Sequence, residues 1–154
     1  MPVRELPPLL GTGHFRVLIG RREFGFSEVG RLSSETDSTL PPNERSHRFE
    51  TVVLRRALTR STELYDWRRK VVSGKDDRRP VTIHQLDAAG GGIVNSWRLE
   101  GAWPCRWSGP SFNAAGNEVA IEELELAYGD LVWLAVPDTP PSNKSRSRKK
   151  TEGA

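Results

Sequence analysis

No apolar run in this 154-residue chain approaches the roughly 20 residues that carry a helix across a bilayer, so membrane insertion is not expected. The first residues, Met1 to Gly13, hold Pro2, Pro7 and Pro8 but no long apolar stretch of the secretory kind, which points to a cytoplasmic start. Cysteine is nearly absent. Cys105 stands alone, which excludes an intrachain disulfide, and its place between Trp103 and Trp107 reads as a buried, inert thiol. The three histidines, His14, His47 and His84, are scattered and lack metal-ligand spacing. There is no GxxxxGK[ST], no GxGxxG and no GxSxG, and Gly90 to Gly92 suit a hairpin turn better than a phosphate cradle. Asp76-Asp77 and Glu122-Glu123 pair acids without a base or metal ligand beside them and read as solvated carboxylates. No catalytic residue, metal or cofactor is expected, and the chain does not read as an enzyme.

What is present is a body with an uneven tail. The net charge is +3, and residues 138–154 hold five basic residues (Lys144, Arg146, Arg148, Lys149, Lys150) against Asp138 and Glu152. The other 18 basic and 18 acidic residues balance, so the body lacks the basic face of a dedicated nucleic-acid-binding domain. Residues 1–13 form a Pro- and Gly-containing arm, residues 14–136 carry the periodic apolar pattern, and residues 137–154 have the composition of a disordered basic tail.

Within the body most segments alternate as strands do. These are His14 to Ile19, a run with Phe24, Phe26 and Val29, then Phe49 to Leu54, and Val81 to Gln85. Ile93, Asn95, Trp97 and Leu99 return on one face after the turn-forming Asp87 to Gly92. Residues 38–48 have loop composition. One helix is expected, with Ser61 as N-cap, Glu63 in the first turn and Gly74 as the stop. It would bury Leu64, Trp67 and Val71, pair Asp66 with Lys70, and pack the Arg68 stem while its head reaches a carboxylate. Glu118 to Tyr128 stays open. Its Glu, Leu and Ala content favours helix, whereas strand alternation holds only in two pieces that break phase at Glu122-Glu123, where a β-bulge is needed.

Five tryptophans, Trp67, Trp97, Trp103, Trp107 and Trp133, supply core packing and candidate anchors for contacts between subunits. Three stretches that contain them, or lie near them, resemble the phage tail tube family, which includes the inner tube proteins of extracellular contractile injection systems. They are GFSEVGRLSSETD from Gly25, STELYDWRRKVVSG from Ser61, and WPCRWSGPSFNAAGNEVAIEELELAYGDL from Trp103. The resemblance spans about residues 14–134. It implies a mainly β fold, a small β-barrel or sandwich with one flanking α-helix, and it makes 118–128 a strand.

It also implies function. Subunits of this family form hexameric rings whose sheets join around a lumen, and the rings stack into a tube, which pairs strand edges that would otherwise be exposed. Expected partners are the chain itself and the tube, spike or hub, baseplate and sheath proteins of one particle. Nucleic acid enters only as possible lumen cargo. The protein would be made in the bacterial cytoplasm and join a phage tail or injection particle, either as a shaft ring or as a specialised ring near the baseplate. Candidate interface or core residues are Trp67, Arg68, Trp103, Trp107, Asn113, Asn117 and Glu118. The segment between Asp37 and Phe49 is shorter than the family pattern and lacks its Lys- and Pro-containing stretch. The alternative is a soluble binding module that uses the basic tail for nucleic acid or an acidic partner; a hydrolase working through the paired acids is the remote third reading.

Because the tail has almost nothing apolar to bury, deletion of residues 138–154 is expected to leave the thermal unfolding midpoint nearly unchanged. A fall of many degrees in a calorimetric scan would contradict this.

Overall fold

The computed structural model describes residues 10–135, so the expectations for most of the N-terminal arm and for the basic tail lie outside the described residues. The body is mainly β with one helix. Strand β1 (Phe15–Ile19) turns at Gly20, φ 63°, into β2 (Arg22–Phe24), and buries Val17 and Ile19 on alternate positions. Three residues later comes the short β3 (Glu28–Val29). The hairpin β4 (Ser34–Thr36) and β5 (His47–Phe49) forms its own two-stranded sheet, so the expected 38–48 loop gives up His47 and Arg48 to a strand. The expected strand from Phe49 is likewise split, because β6 (Val52–Ala57) starts afresh after Thr51.

Helix α1 (Glu63–Val72) follows, and Gly74 at φ 88° ends it as expected. Three details differ from expectation. Thr62, not Ser61, holds the N-cap position, and its hydroxyl donates to Asp66 at 2.9 Å instead of capping a backbone N–H. Asp66 is thereby engaged, and Lys70 reaches Asp77 at 3.9 Å. Arg68 finds a carbonyl in place of a carboxylate: its Nη1 donates to the Pro104 oxygen at 3.1 Å.

After the helix come β7 (Arg79–Leu86), β8 (Ile93–Ser108), β9 (Ile121–Ala127) and β10 (Asp130–Leu134). The strand order is β2-β1-β7-β8-β9-β6-β3, with β10 also on β8, and every pairing is antiparallel. β2 and β3 stand at the two ends of this order yet lie three residues apart in the chain, so the sheet curls back on itself. It does not close: β2 and β3 are not hydrogen-bonded to each other, and the described sheet is open where the resemblance allowed a barrel.

The curl is built into β8 and its neighbours. Leu99 faces the core where β8 pairs with β7, but beyond Gly101, φ 61°, the buried residues are Ala102 and Pro104. The phase changes at an irregularity opposite Pro80, where Gly101 alone accepts the left-handed conformation without strain. β9 and β10 run as one interrupted strand along the same edge of β8, and Gly129 between them donates to the Glu100 carbonyl at 2.9 Å. A second bulge, at Cys105, brings Trp107 opposite Leu124. The bulge expected at Glu122-Glu123 is absent, and β9 runs through both residues in a single phase.

The core gathers Val17, Ile19, Val81, Ile83 and Leu99 from one half of the sheet and Val52, Leu54, Leu124, Leu126 and Tyr128 from the other, with Leu64 and Trp67 of α1 against them. Trp67 is buried, donates through Nε1 to the Asp77 carbonyl at 2.7 Å, and carries the Arg79 guanidinium over its ring at 4.9 Å. Trp67→Ala is expected to cost about 3–5 kcal/mol of stability in urea titration. A loss below about 1 kcal/mol would mean that the helix does not dock through this face.

Candidate functional site

The seven residues singled out in the sequence do not converge on one cleft. Trp67 and Arg68 hold α1 to the body, as described. Trp103 is half-buried and lines a shallow recess with Val71 and Arg78 at the helix C-terminus. Trp107 is also half-buried; its ring meets Tyr65 edge-on at 5.0 Å. Asn113, Asn117 and Glu118 are exposed on the 109–120 loop, where Asn113 Oδ1 accepts from the Ala115 N–H at 3.1 Å. Among the described residues no three His, Cys, Asp or Glu side chains gather to hold a metal ion, and no helix is long and apolar enough to cross a membrane.

The polar centre of the molecule lies elsewhere. Glu122, expected to be solvated, is 2% exposed, and Arg56 is 8% exposed. They are direct cross-strand partners on β9 and β6, and Arg56 Nε donates to Glu122 Oε2 at 2.8 Å. Trp107 Nε1 donates to the other carboxylate oxygen at 2.8 Å. The Phe24 and Phe26 rings stand 5.9 and 6.0 Å from the guanidinium carbon, and Arg56 Nη2 is buried without a hydrogen-bond partner. Both charges were legible as phase. Val52, Leu54 and Arg56 alternate on β6, and Glu122, Leu124, Leu126 and Tyr128 alternate on the facing strand. β9 therefore keeps one continuous inward set, and the apparent break at Glu122-Glu123 is a charge in a core position.

That choice has an outward consequence. With Glu122 turned in, Ile121 turns out, and it stands exposed beside Val119 (71% exposed) and Phe112 (89% exposed). Farther along this same outward face the side chains are ionic: Arg55 bonds Glu123 at 3.0 Å and approaches Glu28 at 3.8 Å, and Thr51 donates to Glu125 at 2.5 Å. Such exposed pairs contribute little each. Next to the helix, Arg79 bonds Asp77 twice, at 3.0 and 2.8 Å, and these bonds hold the Asp77 carboxyl below its usual range despite partial burial. Cys105 is half-buried instead of fully buried, and burial, with Glu125 adding, pushes its thiol above the usual value, away from reactivity.

The described residues form a curled sheet with an apolar patch at one loop and strand edges left unpaired. β10 pairs only with β8, β2 only with β1, and the β4–β5 hairpin joins neither sheet half. A family model described as the T4-like virus tail tube protein gp19 matches residues 11–132. A search of curated proteins returns no match. Among solved structures, the fold is similar to a chain of the PVC sheath-tube complex, an extracellular contractile injection system in its extended state. That match has a TM-score of 0.67 and 23% identity, and covers 83% of this chain and 93% of that one. It is also similar to a chain of the anti-feeding prophage baseplate, 6-fold symmetrised, with TM-score 0.71, 22% identity and coverage of 86% and 99%. Hcp1 from Flavobacterium johnsoniae shares the fold at TM-score 0.59 and 11% identity, with coverage of 78% and 94%.

The buried pair makes a two-part prediction. Glu122→Leu alone is expected to cost about 3–5 kcal/mol, because it strands a buried guanidinium. Adding Arg56→Met should recover most of that loss in the same denaturant titration. A double variant no more stable than Glu122→Leu would show that the single loss comes from packing and not from the stranded charge.

Proposed function

This chain belongs to the T4-like virus tail tube protein gp19 family, and from that premise we propose that six copies of it form a ring of the inner tube of a contractile phage tail or extracellular contractile injection system. The observation that carries the reading is the match across nearly the whole described body, 11–132, together with a sheet that its own chain leaves open. An open sheet with unpaired edges is stable and non-aggregating when copies complete one another around a closed symmetry axis. Six as the order of that axis is in keeping with the baseplate neighbour, described as 6-fold symmetrised.

The role is structural. The ring surrounds a lumen through which cargo passes, and its partners are further copies of itself and the tube, spike or hub, baseplate and sheath proteins of the same particle. The balanced body suits a conduit, since a wall that bound its cargo tightly would retain it. Within such a particle we place this chain in a specialised ring at the baseplate end. Two features support that placement: the segment between Asp37 and Phe49, shorter than the family pattern, which would shorten the reach toward a stacked ring, and the concentration of net charge in residues 138–154. Like charges from six tails would repel one another at every level of a repeating shaft, over distances near the Debye length of about 8 Å at physiological salt. A terminal ring meets that repulsion once.

Electron microscopy of purified particles is expected to show six-fold rings of this chain, and quantitative mass spectrometry a copy number fixed at one or two rings. A chain that is strictly monomeric inside its native particle would defeat the ring reading. A copy number that rises with tube length would leave the ring standing and move it to the shaft.

A further inference from the structure

We propose that Phe112 of one copy seats in an apolar groove of the next copy, walled by Phe15, Val29, Leu32, Ile83 and Trp97, and that this head-to-tail contact is one of the joints of the assembly. The inference rests on the ring reading and names a contact within it.

The projecting side begins at the loop that leaves β8 after Ser108 and returns at Ile121. Phe112 on this loop is 89% exposed. It does not stand alone. Ile121 is exposed beside it because the buried Glu122 fixes its phase, Val119 of the loop is exposed there too, and exposed Leu58 is tied to the loop by its N–H bond to the Ala120 carbonyl at 2.9 Å. A contiguous apolar patch rimmed by charge, here Arg106, Glu118 and Glu123, marks a surface that another molecule covers.

The receiving side is a groove of about 400 Å³ between β1, β7 and β8 on one hand and β3 and the residues after it on the other. Its walls are apolar, and Glu28, His14 and Gln85 stand among its polar lining. Phe112 is not among the residues that line it, so projection and groove of one chain do not meet. Between copies their chemistry is complementary. Arg106, near the base of the projecting loop, has no acidic group within 4.0 Å among the described residues. Glu28, at the groove, has only Arg55 at 3.8 Å, and Arg55 is held more closely by Glu123 at 3.0 Å. An incoming copy thus brings an unpaired cation to a weakly paired carboxylate as its phenyl ring enters. A contact between two different patches of one chain is heterologous, the kind that builds rings when its rotation closes.

The test uses the full chain with a photoreactive benzoylphenylalanine at position 112. Irradiation of assembled protein is expected to crosslink two copies, with the acceptor peptide containing groove residues. Phe112→Asp should weaken association by roughly 10- to 150-fold, the effect of denying burial to one such side chain, and Phe112→Leu should keep most of it. Leu32→Arg, placed in the groove, should reproduce the weakening from the other side. Thermal midpoints of the unassembled variants at 112 should match the parent, since the side chain is exposed. Crosslinks to any other surface, or Phe112→Asp copies that assemble like the parent, overturn this contact while rings formed by the parent keep the ring reading intact. A parent chain that never associates, alone or in its particle, overturns both.

Discussion

The 16 residues of β8 belong to two halves of the sheet, and one strand keeps apolar side chains inward in both only if its phase changes on the way. The change is made at Gly101 and made again at Cys105. Much else follows from it. Gly129, opposite the first change, lets the β9–β10 strand bend with its partner, so the ribbon turns the corner as a unit and the far ends of the strand order, β2 and β3, come within three residues of each other. Strands that switch sheets through bulges are the usual way to make such corners. The open end of β8 beyond Ala102 has no strand on the β7 side; there Pro104 withdraws a donor and Arg68 from the helix accepts the task of bonding its carbonyl.

How far this was legible in the sequence depends on whether the signal was local. The helix from Glu63, its buried Leu64 and Trp67 and its stop at Gly74 were readable because period and glycine lie in one short segment. The hairpin of β7 and β8 was readable for the same reason. Its neighbours were not. Nothing near Trp97 announces that the inward set will shift by one after Gly101, because the reason for the shift is a second sheet half made of distant strands. The β4–β5 pairing was missed because its strands are three residues each and exposed, with no apolar alternation to mark them. The caps and ion pairs of α1 went astray by a residue or a partner because Thr62, Ser61, Asp77 and the Pro104 carbonyl offer near-equivalent polar choices, and only tertiary placement selects among them.

Glu122 is the instructive case. Composition placed it with its neighbour Glu123 among solvated acids, and alternation placed a bulge there. Both readings assumed that a carboxylate does not occupy a core position. The facing strand carries the matching exception, Arg56 in phase with Val52 and Leu54, so two anomalies that each looked like noise form one cross-strand pair. A buried pair of this kind adds little net stability over apolar residues, since desolvation offsets most of the attraction. Its effect is on register. A slip of β9 by one residue would turn both Glu123 and Glu125 inward, where Arg56 can meet at most one of them, a far larger loss than a slip between purely apolar strands.

The same register decides what the molecule shows to its surroundings. A strand with Glu122 inside must carry Ile121 outside, beside Val119 and the loop bearing Phe112. With an apolar pair in place of Arg56 and Glu122, the phase would rest on Leu124 and Leu126 inside and Glu123 and Glu125 outside alone. The buried charges thus connect two levels that are usually treated apart: they mark which face of β9 belongs to the core, and by exclusion which side chains stand on its outer face. In a sheet that its own chain leaves open, the ion pair that helps to specify the inside also helps to specify the surface that the proposed contact would use.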